Sequence, residues 1–244
     1  MNNYDAFIND AKELNIDITD DMICKFDKFY NMLVETNKVM NLTAITDFDE
    51  VCKLHFIDSL SSYKYFDFQD NDFSIIDIGT GAGFPGIPLK IVFPHLHITL
   101  FDSLNKRIKF LNDVIEELNL NSVGSINTIH GRAEDFCSPS KDSLREKYDI
   151  AVSRAVANIS TLSEYCLPYV KVGGCFISYK GDNFMDELGK DNKALKILGG
   201  KLKTVESFLL PNSDIHRNIC IIDKKVNTPK TYPRKAGTPS KSPL

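Results

Sequence analysis

A chain of 244 residues, 43% hydrophobic and 25% charged, has the apolar mass for one sizeable α/β domain, with or without an appendage, and not the composition of a disordered or fibrous protein. Its net charge of −4 argues by itself against a nucleic-acid partner. Cysteines scattered at 24, 52, 137, 166, 175 and 220 without a C-x-x-C pair, an opening Met1-Asn2-Asn3-Tyr4-Asp5 with neither a basic start nor an apolar follow-on, and no run of membrane-spanning length predict a cytoplasmic chain with reduced thiols, no bound metal and no membrane contact.

In chain order, Asp5 to Leu14 and Thr19 to Lys38 read as helices. In the second, Met22, Phe26, Phe29, Leu33 and Val34 recur at helical spacing, and Thr19 or Asp20 can cap it. Asn37 to Thr43 breaks the pattern, and a helix resumes from Asp47 to Tyr65. Ile75-Ile76-Asp77-Ile78 is a β-branched run that stops at Gly79, with glycines at 79, 81 and 83. Gly86 to Phe93 opens a helix with Pro88 tolerated in its first turn. Strand, helix and strand then alternate: His97 to Asp102, a helix from Leu104 to about Leu120, Ser125 to His130, Tyr148 to Ser153, a helix from Ile159 to Tyr169, and Gly174 to Tyr179. Leu202 to Leu210 and Asn218 to Asp223 read as an antiparallel pair. The alternation predicts a Rossmann-like α/β fold: a mostly parallel sheet with helices on both faces and ligands at the carboxyl ends of the strands.

The run from Ser74 to Pro88, SIIDIGTGAGFPGIP, organises the rest. A strand, a glycine loop and a helix N-terminus make a place for a nucleotide-like ligand, because glycine admits positive φ and close backbone approach. Gly81-Ala82-Gly83-Phe84-Pro85-Gly86 matches G-x-G-x-x-G and points to a dinucleotide. The frame Asp77-x-Gly79-x-Gly81-x-Gly83, an acid inside the strand and alternating glycines behind it, resembles instead motif I of S-adenosylmethionine (SAM) methyltransferases. Phe84-Pro85 sits where a pyrophosphate needs open N–H groups, which favours SAM. Asp102, 23 positions past Gly79, suits two ribose hydroxyls, although Asp102-Ser103 also precedes a helix and fits a cap. Gly131-Arg132-Ala133-Glu134-Asp135 follows the third strand, where SAM enzymes contact adenine. Arg154, at the end of the fourth strand, suits a SAM carboxylate or an RNA phosphate. Phe84 offers an aromatic face to a sulfonium, worth roughly 0.5–2 kcal/mol, or packs in the core.

What is missing narrows the methyl acceptor. Enzymes acting on exocyclic amines place an Asp/Asn-Pro-Pro-Tyr-like run after the fourth strand, where this chain has Ser153-Arg154-Ala155-Val156-Ala157. Carbon-5 pyrimidine enzymes use a cysteine behind proline, and Cys166-Leu167-Pro168 has the reverse order. A ring nitrogen with a free lone pair, such as guanine N7, needs neither device, so no general base is assigned and alignment carries the reaction.

Asn41-Leu42-Thr43-Ala44-Ile45, His55-Phe56-Ile57-Asp58-Ser59-Leu60, Asp77 to Pro88, Ser103-Leu104-Asn105-Lys106-Arg107, Gly131 to Glu134, Ser153 to Ala157 and Tyr232-Pro233-Arg234-Lys235-x-Gly237-x-Pro239 stand in one order. Together they resemble the bacterial small-subunit ribosomal-RNA guanine-N7 methyltransferases, the glucose-inhibited division protein B family, over nearly the whole chain. The resemblance implies SAM as donor and one guanine N7 of 16S ribosomal RNA as acceptor. It implies cofactor contacts at Gly79, Gly81, Phe84, Ala133, Glu134 and Arg154, with Asp102, Ser103 and Leu104 alongside, and it puts Asn41, His55, Lys180 and Arg217 on the RNA side. The helical run before the first strand, the alternating strands and helices, and the biased composition of the end divide the chain into an N-terminal helical segment (1–66), a methyltransferase domain (67–227) and a basic Pro-rich tail (228–244).

From Lys224 onward there are six basic residues and no acid. The body before them therefore carries the chain's −4 less those six, or −10. An acidic body with a basic end predicts a polyanion reached through the tail, or else a solvated terminus, and it predicts a target presented in a small-subunit ribonucleoprotein particle to a monomeric enzyme. The other readings are a SAM methyltransferase for a small molecule or protein, and a dinucleotide-binding oxidoreductase.

Overall fold

Apolar, β-branched runs buried on both faces build one seven-stranded sheet in the computed structural model, which describes residues 2–138, 143–154, 157–181, 184 and 193–244. The strands are β1 (Ser74–Ile78), β2 (His97–Asp102), β3 (Ser125–His130), β4 (Tyr148–Ser153), β5 (Val170–Lys180), β6 (Gly200–Leu209) and β7 (His216–Lys224). Their order is β3-β2-β1-β4-β5-β7-β6. The first five are parallel neighbours, and β7 runs antiparallel to both β5 and β6, as the sequence predicts. The order reverses between β1 and β4, where Asp77 pairs with Leu100 on one side and Val152 on the other. That is the switch point at which such sheets hold ligands.

Successive strand residues feed two cores. Ile75, Val152 and Ile177 face one cluster, while Ile76, Ala151 and Phe176 face the other. The first is covered by α1 (Asp5–Glu13), α2 (Asp20–Met40), α3 (residues 48–64), α4 (Gly86–Val92) and α5 (Asn105–Glu117). Phe7, Phe26, Phe29 and Phe56 pack there, none more than 2% exposed. Each such ring contributes about 1.5–3 kcal/mol relative to exposure. The second is covered by α7 (Ile159–Cys166) through Ile159 and Leu162. The short helices α6 (Ala133–Phe136) and α8 (Thr238–Lys241) follow β3 and lie near the C-terminus, respectively. Among the described residues no helix is long and apolar enough to cross a membrane.

Side chains set the helix ends. The Thr19 hydroxyl accepts from the Met22 N–H at 3.3 Å, Asp47 from Glu50 at 3.1 Å, and Asn158 from Thr161 at 2.8 Å, each satisfying a donor the helix leaves open. Asn41 ends α2 in the left-handed conformation, φ 49°. The segment predicted as one regular helix, Asp47 to Tyr65, is a composite: an α turn (Phe48–Val51), a π-helical turn (Cys52–Ile57), a second α turn (Asp58–Leu60) and a 3-10 turn (Ser61–Lys64). Val51 and Phe56, five residues apart, are both fully buried. A turn of i to i+5 period keeps both on the core side, where a 3.6-residue turn would rotate one of them away.

The last residues lie along the body. Arg145 donates from Nη1 to the Cys137 and Tyr232 carbonyls at 3.1 and 2.7 Å, and from Nη2 to those of Thr228 and Pro229. Arg234 grips Glu164, which is fully buried, through its backbone N–H, Nε and Nη2 at 2.8, 2.9 and 2.6 Å. Thr161 Oγ1 donates to the Pro239 carbonyl and Ser160 Oγ to that of Leu244, both at 3.0 Å. Of the six basic residues that the sequence assigns to a polyanion or to solvent, three thus meet carboxylates of the body: Lys224 on Glu146, Lys225 on Asp223 and Arg234 on Glu164.

Candidate active site

The glycine loop is held by two aspartates. Asp77, fully buried, accepts the Thr80 hydroxyl at 2.7 Å and the Gly86 N–H at 2.9 Å on Oδ2. One carboxylate oxygen thereby ties the start of the loop to the start of α4. Burial pushes its carboxyl up to about 7, against the pull of those two donors. Its Oδ1 has no hydrogen-bond partner among the described residues. Asp102, 2% exposed, accepts the Gly81 N–H at 3.0 Å and Arg107 Nη1 at 3.2 Å on Oδ2, and the Leu104 N–H at 2.8 Å on Oδ1. Gly79, Gly81 and Gly83 have φ of 73°, 63° and 101°, a conformation that costs other residues about 1–2 kcal/mol.

Beside this loop lies a cavity of about 590 Å³ along the ends of three strands, within the range of small-molecule sites. Ile78 and Gly79 line it from β1, Asp102 and Ser103 from β2, Ala133 and Glu134 from the turn after β3, and Tyr165, Ala236, Gly237 and Lys241 from later in the chain. A Cβ built on Gly79 would meet no atom within 4 Å, so the glycine leaves open a cradle. The loop amides are committed internally. Those of Gly83 and Phe84 donate to the Thr80 carbonyl, that of Gly86 to Asp77 and that of Ile87 to the Gly83 carbonyl. A carboxylate therefore sits at the helix start where a dinucleotide would place its pyrophosphate. Asp102 and Glu134 on the cavity wall are acceptors, suited to hydroxyl and amino donors such as those of an adenosine and unsuited to phosphate. The donor set fits SAM.

A second cluster joins α3, β4 and β7. Arg154 donates from Nη1 to the Leu54 carbonyl at 2.9 Å and to Asp58 Oδ2 at 3.0 Å, and Nη2 lies 3.2 Å from His55 Nδ1. Asp58, 5% exposed, accepts Arg217 Nε on its other oxygen at 3.1 Å. His55 Nε2 is 2.8 Å from the Thr43 hydroxyl. Burial first, and then the Arg154 charge, push the imidazole down to about 4, so the ring is neutral, with Nδ1 in reach of both the guanidinium and the Leu54 carbonyl, the latter at 3.1 Å. Phe84 stacks on His55 at 4.5 Å and 21°, with Arg154 Cζ 5.0 Å from its centroid.

The predicted site residues thus fall in two places. Gly79, Asp102, Ser103, Ala133 and Glu134 meet at the cavity, with Gly81 and Leu104 bonded to Asp102 beside it. Phe84 and Arg154 lie with His55 and Arg217 instead. Lys180 donates to the Ala157 carbonyl at 2.6 Å and lies 5.7 Å over the Phe184 ring. Asn41 is exposed at the end of α2, two residues before the threonine that meets His55. Ala155 and Val156 lie outside the described residues. Sequence reasoning missed Thr43 and Asp58, though both stand inside runs it singled out, and it missed the cavity-lining Tyr165, Ala236, Gly237 and Lys241. Among the described residues no group of three His, Cys, Asp or Glu gathers to hold a metal.

Comparison with known proteins gives the family. The GidB family model, rRNA small subunit methyltransferase G, matches residues 22–220. The Ribosomal RNA small subunit methyltransferase G of Acetivibrio thermocellus is 52% identical over 237 residues, 97% of this chain and 95% of its own. That of Clostridium tetani is 47% identical over 244 residues and the full length of both. Among solved structures, the methyltransferase in complex with the Haloferax volcanii Trm112 activator superposes with a TM-score of 0.53 at 11% identity, covering 73% of this chain and 93% of its own. A methyltransferase from Pyrococcus furiosus superposes with a TM-score of 0.50 at 16% identity, over 69% and 83%. These two share the fold alone, but the full-length relatives and the family match settle the family: this chain belongs to the small-subunit ribosomal-RNA methyltransferase G family.

Proposed function

We propose that the chain transfers the methyl group of SAM to N7 of one guanine in 16S ribosomal RNA. The observation that carries the cofactor half is the cavity at the ends of β1, β2 and β3, where Gly79 leaves a cradle and Asp102 and Glu134 present acceptors. The Asp102 carboxylate has about four acceptor positions; Gly81, Arg107 and Leu104 take three of them, which leaves about one for a ribose hydroxyl unless Arg107 swings away. Glu134 and the Ala133 backbone are placed for the adenine edge.

SAM supplies an electrophilic methyl on a sulfonium: the N7 lone pair forms the new C–N bond as the C–S pair returns to sulfur, and no proton leaves. Nothing in the surroundings has to act as base. His55, the titratable base of the second cluster, is neutral and engaged with Thr43 and Arg154. Burial pushes the thiols of Cys52 and Cys175 up to about 12 and those of Cys137 and Cys166 upward as well, so these four supply no thiolate for carbon-5 chemistry. The chain's task is alignment and exclusion of water. His55, Arg217, Lys180 and Asn41 form the side from which the RNA base enters, and Arg154 with Phe84 links that side to the glycine loop.

The acidic body supports a target presented in a small-subunit particle rather than as naked RNA. Mass mapping of 16S ribosomal RNA from a strain lacking the gene, with and without a complementing copy, tests the assignment. One 7-methylguanosine should vanish and return. An unchanged inventory, or loss of a methyl group at another atom, overturns it. Transfer to purified small-subunit particles should exceed transfer to the protein-free RNA at least tenfold.

A further inference from the structure

The C-terminal segment reaches the cavity that the glycine loop opens onto. Ala236, Gly237 and Lys241 line it together with Gly79, Asp102 and Glu134. The Gly237 N–H donates to Glu134 Oε1 at 2.8 Å across 103 residues of sequence. Anchors lie on both sides of this contact: Arg234 on the buried Glu164 before it, and Pro239 and Leu244 on Thr161 and Ser160 after it. Gly237 itself turns with φ of 81° into α8. The segment is therefore held at the cavity and not merely folded near it.

We propose that residues 236–241 are a wall of the cofactor site, closing its adenosine end, so that docking of the C-terminal segment and cofactor binding stabilise one another. The proposal rests on the cofactor reading of the cavity. The coupling is physical: a ligand that touches a docked segment loses apparent affinity in proportion to the undocked fraction, and reciprocally the ligand favours docking. Glu134 is the hinge of the arrangement, because its carboxylate accepts the Gly237 amide and keeps acceptor capacity for the ligand.

Calorimetric titration with SAM tests it on three chains: the full-length protein, a form ending at Lys235, and Gly237→Asn. Asparagine tolerates a left-handed φ. A Cβ at Gly237 meets no atom within 4 Å, so the fold accommodates the side chain while it occupies space at the cavity wall. The full-length protein should bind SAM; failure there overturns the cofactor reading itself, separately from the wall. The shortened chain should bind at least tenfold more weakly and Gly237→Asn at least fivefold more weakly, with the melting temperature of unliganded Gly237→Asn within about two degrees of the parent's. Should the shortened chain unfold, Gly237→Asn decides. Parental SAM affinity in Gly237→Asn overturns the wall.

Discussion

Gly79 and Gly86 stand at the two ends of the cofactor loop and respond differently to an added methyl. At Gly79, φ is 73° and a Cβ would meet nothing within 4 Å. Gly79→Ala therefore costs the fold only the left-handed penalty, about 1–2 kcal/mol, while the methyl enters the cradle; SAM affinity should fall at least tenfold. At Gly86 a Cβ would lie 2.3 Å from Leu100 Cδ2 and 2.9 Å from Asp77 Oδ2. Gly86→Ala must displace the carboxylate clamp and should lose about 1–3 kcal/mol of stability. Thermal denaturation beside calorimetry separates the two, and a Gly79→Ala protein that binds SAM normally would refute the cradle. His55 makes a pH prediction. Its imidazole is pushed down to about 4, whereas in the unfolded chain it protonates near 6.5. Between those values the unfolded state binds more protons, so stability falls as pH falls, by up to about 1.4 kcal/mol per pH unit. Asp77 works the other way. Burial raises it to about 7, so its contribution diminishes as pH rises from about 4 to 7. His55→Gln removes the first slope and leaves the second. From pH 7 to pH 5 its melting temperature should shift upward relative to the parent's, and the same shift in both would mean that the native ring takes up its proton as readily as the unfolded one.

The π-helical turn of α3 is the element on which the second cluster depends. It sets Val51 and Phe56 into the core together and leaves His55 beside Phe84 and Asp58 between two arginines. Asp58 holds Arg154, from the end of β4, and Arg217, from β7, on its two oxygens. Asp58→Ala would leave two largely buried cations facing each other. Loss of one partner from such a group costs about 3–5 kcal/mol, which for a chain of this size lowers the melting temperature by about 6–20 °C. Asp58→Asn keeps an acceptor and should lose less. In both, transfer to the particle should drop more than SAM affinity, and an equal drop in the two would place Asp58 in the cofactor site instead. These features also show what a sequence can disclose. The strands from β1 to β5 and the glycine loop are legible because their signals are local: short apolar β-branched runs, helical spacing between them, and glycines where φ is positive. The π turn is not, since its five-residue register follows from the burial of Val51 and Phe56 in the tertiary core. The salt-bridged trio is not either, because its members stand 96 and 159 residues apart. The C-terminal segment reads as a free basic end because the carboxylate that binds its arginine lies 70 residues earlier.

At the scale of the whole molecule, charge decides how the RNA is met. The body is acidic, and most arginines at the cavity and the second cluster already have partners: Arg107 on Asp102, Arg154 and Arg217 on Asp58, and Arg234 on Glu164, while Arg132 at the cavity mouth is exposed. Lys230, Lys235 and Lys241 of the C-terminal segment are exposed. Each phosphate contacted by a single strand contributes about −0.7 to the slope of log K against log salt. Those three lysines contribute about −2 to the slope for protein-free 16S ribosomal RNA, and Arg132 at most about −0.7 more, shallow for an RNA enzyme, with an affinity too weak to select one guanine unaided. Lys230→Gln with Lys235→Gln spares Lys241 at the cavity wall and removes two of the three contacts. The slope should flatten by about 1.4 while SAM affinity holds. A parental slope of −5 or steeper would reveal a basic RNA surface beyond the C-terminal lysines, and an unchanged slope in the double variant would take the segment out of RNA binding and leave it to the cofactor alone.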